Sequence, residues 1–243
     1  MTRKAGITLT TELPDPTKMP VTGYRLAVIA ALSALALLAA AGCSSGGSTA
    51  ALAKASTAPP ASTASHTYAS KSFRPPLTVT VDASLKSPPE TDFTTFLTWD
   101  AVNSPSNKVR FLVPTNVYRP GSFISHAPPK NYLTYLRGLT RHGVTLINLV
   151  KITVDGHPAT LMTATSTAAA GPPGGFDGTL GCPDPADNQD AACFGIQPEF
   201  LLRLAVIPVG KTTLLAWART SKAHPDEAFF AMFERMLTSV RFR

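Results

Sequence analysis

Val144-Thr145-Leu146-Ile147-Asn148-Leu149-Val150-Lys151-Ile152-Thr153-Val154, then Asp155-Gly156, then Pro158 through Ser166, is the stretch that decides the fold. Val144 to Val154 is a long run of strand-forming residues. Asp155-Gly156 is a strong two-residue turn signal, because Gly and Asp tolerate the positive φ angles that a tight hairpin requires. The chain from Pro158 to Ser166 then returns beside the first run. Downstream, Phe200–Val209 and Thr212–Thr220 flank Gly210-Lys211 and form a second hairpin of the same kind. Two consecutive hairpins imply a sheet that is mostly antiparallel.

Upstream, Leu77-Thr78-Val79-Thr80-Val81 alternates at period two, as a half-buried strand does. Phe93 to Trp99 is a second strand candidate, rich in Thr and aromatic residues. Val109-Arg110-Phe111-Leu112-Val113 is a third, stopped by Pro114. An irregular stretch with Pro120, Gly121, Pro128 and Pro129 follows. Residues 130–142 place Tyr132, Tyr135, Leu136 and Leu139 at helical spacing, with Gly143 as the stop. A Gly/Pro-rich loop, 167–198, separates the hairpins. Pro225 suits the first turn of a last helix, with Asp226 and Glu227 at its positive end. Phe229, Phe230, Phe233, Met236 and Leu237 mark its buried stripe, and Ser239–Arg243 reads as a closing edge strand.

The expected fold is therefore α+β, a mostly antiparallel sheet with helices packed on it, spanning residues 77–243. About 165 residues suffice for one substantial core. Three fragments carry a resemblance: Val109–Pro114 before its irregular loop, the hairpin around Val154-Asp155-Gly156, and Phe229–Phe242. Together they resemble the PsbP-like α/β/α sandwich found in secreted actinobacterial lipoproteins of the Lpq type. The resemblance covers most of Leu77–Arg243. It implies a binding or accessory module more often than an enzyme, and it brings no catalytic residues.

The N-terminal third is compositionally distinct. An apolar run from Leu26 to Ala41 ends in Leu38-Ala39-Ala40-Ala41-Gly42-Cys43, which looks like a lipobox, with Cys43 as the acylated residue. Ala40 stands where that pattern most often has Leu. The run falls short of the ~20 residues that a spanning helix needs, so residues 1–42 read as a signal peptide. An uncleaved membrane anchor is the other reading. The region before the run is long and contains Glu12 and Asp15, which fits translation from Met19 rather than Met1. Residues 43–76, mostly Ser, Thr, Ala, Gly and Pro, then read as a lipid-anchored cysteine and a flexible tether. These features place the protein on the extracytoplasmic face of the cell membrane, with the bilayer as partner through Cys43.

Three cysteines are present. With Cys43 taken by lipid, Cys182 and Cys193 are left as a disulfide pair in the Gly/Pro/Asp-rich loop, or else as two reduced thiols. Two sulfurs with no histidine nearby make half of a closed metal site, so no metal is expected. The chain carries 22 Lys and Arg against 15 Asp and Glu. Residues 1–42 hold four of the former and two of the latter, which leaves a net +5. The basic residues are scattered without interleaved aromatics, which argues against nucleic acid and suits anionic lipid or wall polymer.

No constellation points to chemistry. Ala205-Val206-Ile207-Pro208-Val209-Gly210-Lys211-Thr212 meets a permissive phosphate-loop pattern, but a strand pattern follows where a helix is needed. It reads as a hairpin turn. His126, His142, His157 and His224 are dispersed; His142 suits a helix end and His157 a solvated turn. Ser122 near His126 is a weak nucleophile–base suggestion, and no Gly-x-Ser-x-Gly elbow exists. Asp177, Asp184, Asp187 and Asp190 share the cysteine loop without the spacing of a calcium loop. Trp99, Tyr118, Trp217 and Phe229 read as core, with an apolar pocket as the alternative. The expected function is a membrane-anchored binding or accessory module for an envelope lipid, wall component or envelope protein, with no cofactor and no catalytic residue assigned. The alternatives are an extracytoplasmic hydrolase using Ser122 or His126, and an assembly partner of a membrane complex.

Overall fold

A computed structural model describes residues 64–167, 179–187 and 193–243. Cys43 and the apolar run before it lie outside the described residues, as do Asp177 and Asp190. The chain opens with β1 (Ser65–Ala69), β2 (Leu77–Asp82), β3 (Thr91–Asp92), β4 (Phe96–Asp100) and β5 (Lys108–Leu112). Two short strands, β6 (Val117–Tyr118) and β7 (Ser125–His126), lead to helix α1 (Tyr132–Leu139). The long hairpin β8 (Val144–Val154) and β9 (His157–Ser166) follows, then β10 (Thr179–Gly181) and β11 (Phe194–Gly195). The second hairpin is β12 (Phe200–Val209) and β13 (Thr212–Ser221), and α2 (Glu227–Ser239) and β14 (Arg241–Phe242) close the chain.

Seven of these strands form one antiparallel sheet, ordered β3-β4-β5-β13-β12-β9-β8. The expected α+β fold is the observed one. Both turns have the required backbone: φ is 47° at Asp155 and 79° at Gly156, and 60° at Gly210. Positive φ at both central residues of the first turn matches the right-handed twist of its strands. Strand β8 lies at the sheet edge and carries a bulge between Ile147 and Val150, where Asn148 takes a φ of 55°. Asn is among the few residues that adopt this conformation readily.

Each face of the sheet has its own core. On one, Trp99, Phe111, Ala205, Ile207 and Leu161 pack against Phe229, Phe230 and Phe233 of α2 and against Leu77, Val79 and Val81 of β2. Here β2 is the centre of a second, three-stranded sheet, β1-β2-β14. On the other face, Leu112, Met162, Leu204, Val206 and Trp217 pack against Tyr132, Leu136 and Leu139 of α1 and against Leu180 and Ile196 of the cysteine loop. Helix α1 stops as the pattern predicts: a turn of 3₁₀ helix, Thr140–His142, ends at Gly143 with a φ of 93°.

Several boundaries differ from the sequence reading. The folded part begins well before Leu77, because Ser65–Ala69 pairs with β2 along its length and Tyr68 stacks edge-on against Trp99. Phe93–Trp99 is strand only from Phe96; its first three residues form the tight turn between β3 and β4, in which Phe93 N–H donates to the Phe96 carbonyl at 2.8 Å. Pro225 precedes α2 rather than entering it. Asp226 is the N-cap and accepts from Phe229 N–H at 2.9 Å. The closing strand joins β2, not the main sheet. The loop 167–198 contributes β10 and β11, and the irregular stretch after Pro114 contributes β6 and β7.

Asp92 fastens the chain between β1 and β2. Its carboxylate accepts from the backbone N–H groups of Lys71 (2.7 Å), Ser72 (3.2 Å) and Phe73 (3.0 Å), and from the Tyr68 hydroxyl. Burial acts to raise its pKa. The hydrogen bonds from Tyr68 and the backbone outweigh burial and hold it below the ordinary carboxylate range. Asp92→Ala is expected to cost about 2 kcal/mol, the value of charge-assisted bonds lost at a half-buried site. Because the folded value lies below the ~3.9 of an unfolded chain, the stabilisation is complete above about pH 5 and disappears as pH falls through the folded value. Denaturant melts between pH 3 and 7 should show a shallower acid limb in the variant.

Candidate functional site

The sequence candidates do not converge. Ser122 lies in the β6–β7 loop, where its Oγ accepts from Ile124 N–H at 3.1 Å, and no described histidine hydrogen-bonds to it. His126 pairs through its backbone with Val117. His157 is half-buried rather than solvated, its ring edge-on to Phe242 with centroids 5.2 Å apart. Among the described residues no group of His, Cys, Asp and Glu could hold a metal ion. Asp187 is occupied otherwise: it accepts from Thr94 N–H (3.1 Å), Thr95 N–H (2.7 Å) and the Thr95 hydroxyl (2.6 Å). Burial opposes ionisation there, and these donors overcome it and lower the pKa. Asp184 caps its own turn by accepting from Ala186 N–H. Of the four aromatics, Trp99 and Phe229 belong to the α2 face and Trp217 to the α1 face, so they line no common pocket.

Cys182 and Cys193 form a disulfide. It closes the loop that covers the α1 face. Gly181, beside it, is required by close approach: a Cβ there would stand 2.6 Å from the Pro114 Cβ. Cys182 also pairs with Asn116 through its backbone, tying the loop to the segment after β5.

The feature that geometry does assemble is a basic cleft of about 660 Å³ at one end of the α1 face. Lys130 approaches from the segment before α1, Lys151 from β8, and Lys211 from the β12–β13 turn. Tyr132, Thr160 and Pro208 are among the other residues that line it, and no Asp or Glu does. Lys151 Nζ donates to Thr160 Oγ1 at 3.0 Å. Among the described residues none of the three lysines is in an ion pair. Helix α1 starts at the cleft wall and has no acidic residue in its first turn, so its dipole adds to the positive potential. Three ammonium groups without a counter-charge suit an anionic group reaching in from solvent.

The phosphate-loop lookalike is thus a hairpin turn, as its flanking strands required. Its lysine still takes part in a basic site, by a route unrelated to that motif. The site escaped the sequence reading because its lysines are far apart in the chain and each is ordinary in its own segment. The available signal was slight: Lys130 and Lys211 sit at a helix start and a hairpin turn, while Lys151 lies within β8.

The sequence matches no family model and no curated protein. The fold is similar to the solution structure of the cyanobacterial PsbP protein CyanoP from Synechocystis sp. PCC 6803, at 8% identity and a TM-score of 0.38, over 74% of this chain and 92% of that one. Among the described residues no helix is long and apolar enough to cross a membrane.

Replacing Cys182 and Cys193 together by Ser is expected to cost about 3 kcal/mol, the chain-entropy value for a loop of this length. Urea unfolding under non-reducing conditions, compared with wild type, measures it.

Proposed function

We propose that the chain is an envelope lipoprotein, held through acylated Cys43 on the outer face of the cytoplasmic membrane, whose α+β domain is a binding or accessory module. Its ligand is an anionic component of the envelope, and a lipid headgroup fits best. The observation that carries this reading is the cleft lined by Lys130, Lys151 and Lys211 without a carboxylate. The apolar run ending at Gly42 directs export, acylated Cys43 supplies the anchor, and the Ser/Thr/Ala-rich segment before Ser65 supplies reach.

A lipid ligand, rather than a soluble one, is favoured by the tip of the β6–β7 loop. Phe123 and Ile124 stand there 74% and 68% exposed, the most exposed large apolar side chains described. Arg119 precedes them and Lys130 follows, so an apolar tip stands between basic residues. That combination suits shallow entry into an anionic interface.

Two experiments test the reading. A fatty-acid probe should label the wild-type protein in cells and fail to label Cys43→Ala; labelling that survives the substitution removes the anchor. The mature form from residue 43, made with Cys43→Ala so that no acyl chain contributes, should bind phosphatidylglycerol vesicles and not phosphatidylcholine vesicles. Changing Lys130, Lys151 and Lys211 to Glu should weaken that binding about a hundredfold, at ~1 kcal/mol for each lysine. Binding that ignores both headgroup charge and the three substitutions overturns the ligand assignment.

A further inference from the structure

At the other end of the α1 face, two arginines meet without a carboxylate between them. Arg110 of β5 lies directly opposite Trp217 of β13, and Arg219 lies opposite Lys108. Arg110 and Arg219 are therefore diagonal neighbours on one face of the sheet. Each guanidinium is laid over a ring. Arg110 Cζ is 4.7 Å from the centre of Phe194 and 5.9 Å from that of Phe96, and Arg219 Cζ is 4.2 Å from Phe200. The two arginines, these Phe194 and Phe200 rings, Trp217 and Gln197 line a pocket of about 150 Å³.

The hydrogen bonding of the pair is incomplete. Arg219 Nε donates to the Ser106 carbonyl at 3.1 Å. Arg110 Nε is buried and has no hydrogen-bond partner among the described residues. The nearby carboxylates are already occupied: Asp100 pairs with Lys108 and with Lys86 at 3.6 Å, and Glu90 pairs with Lys108 at 3.0 Å. Burial, and then the charge of Arg219, press the Arg110 pKa down to about 10 against the opposing charges of Glu90 and Asp100, so Arg110 is still a cation at neutral pH.

Two features of this arrangement select a ligand. A guanidinium stacked on a ring uses its face and keeps its N–H donors, which lie in its plane, free for a second partner. Four cations gather here, Lys86, Lys108, Arg110 and Arg219, against two carboxylates, Glu90 and Asp100, and the excess matches a group that carries two negative charges. A phosphate monoester carries about −1.5 to −2 at pH 7, whereas a carboxylate carries one. The pocket holds the equivalent of about five waters at ~30 Å³ each. That is room for one tetrahedral oxyanion and not for a nucleotide.

We propose that the Arg110–Arg219 pocket binds a phosphate group, either free or as a monoester whose organic part extends to solvent. Phosphate oxygens accept from both guanidinium forks and complete the donors of Arg110, while Phe194, Phe200 and Trp217 exclude water from the flanks. This site requires neither the anchor nor the lysine cleft.

The test uses the full chain in mild detergent, titrated with inorganic phosphate and separately with glycerol 3-phosphate, each against chloride at matched ionic strength. Calorimetry and the thermal midpoint are the readouts. Saturable binding and a rise in the midpoint are expected for wild type, stronger at pH 7.5 than at pH 5.5, where the dianion is scarce. Preference for glycerol 3-phosphate identifies an organic monoester as the source, and preference for inorganic phosphate identifies the free ion. Arg219→Gln should raise the half-saturating concentration roughly tenfold or more, the usual loss for one charge-assisted pair. Arg110→Lys, which keeps the charge and removes the fork, should do the same. Arg110→Gln should abolish the response; if it does not fold, the other two variants decide. A phosphate response no larger than that to chloride overturns the proposal. So does a response that survives in both Arg219→Gln and Arg110→Lys, or one that vanishes instead when Lys130, Lys151 and Lys211 are changed to Glu.

Discussion

The hairpin of β12 and β13 has no solvent face, and the architecture follows from that constraint. Leu202, Leu204, Ala205, Val206 and Ile207 are all buried, as are Leu214 through Ala218. An antiparallel sheet commonly leaves one face to water and shows it as alternation. Here successive residues of the central strands point to opposite faces and both sets are apolar. Each face must be covered, and two helices of modest length cannot cover seven strands. The three-stranded sheet β1-β2-β14 completes the cover on the α2 side. The disulfide loop with β10 and β11 completes it on the α1 side.

Covering pieces this small cannot stand alone, and aspartates fasten them in place. Asp92 gathers three backbone N–H groups between β1 and β2, and Asp187 gathers two at the β3–β4 turn. Asp155, placed by the first hairpin turn, accepts from Phe242 N–H at 2.7 Å and holds β14. Asp226 caps α2 and also accepts from Asn107 at 3.1 Å. Asp92, Asp187 and Asp226 are thereby taken up by backbone, hydroxyl and amide donors, whereas Asp155 also pairs with Arg241 at 3.8 Å. The net positive charge of the domain is consequently uneven. It emerges at Lys130, Lys151 and Lys211 on one end of the α1 face, which no acid lines, and at Arg110 and Arg219 on the other, where Lys86 and Lys108 take up the nearby Asp100 and Glu90.

The sequence made the framework legible where local chemistry dictates it. The Asp155-Gly156 turn, the period of β2 and the apolar stripe of α2 each follow from a short-range rule, and each is where it was expected. What failed was set by tertiary contact. Ser65–Ala69 has no strand signature, and it is a strand because β2 and Trp99 give it something to pair with and pack on. Phe93–Trp99 has strand composition throughout, but Asp187 holds Thr94 and Thr95 in a turn from nearly a hundred residues away in the chain. Arg110 reads as the outward residue of a strand. Nothing near it in sequence shows that Phe194 will lie across its guanidinium. The lysine cleft is hidden for the same reason, since its three contributors are brought together only by strand pairing and the packing of α1 on the sheet.

Phe194 connects the fold to the arginine pocket. It follows Cys193 directly, and the bond to Cys182 fixes where that segment crosses the sheet. Its ring packs on Phe96 at 4.8 Å and on Trp217 at 5.5 Å, and it takes the Arg110 guanidinium at 4.7 Å. One residue thus covers the apolar face and walls the pocket. An apolar cover alone would have suited a leucine at position 110, which would fill the same stem volume without a desolvated charge. The sheet instead carries an arginine whose Nε has no partner among the described residues. Burial of that charge beside a second arginine is unfavourable in the unliganded domain, and a bound oxyanion would offset both the desolvation and the repulsion. The disulfide loop therefore does more than complete the core: through Phe194 it walls the pocket that Arg110 and Arg219 line.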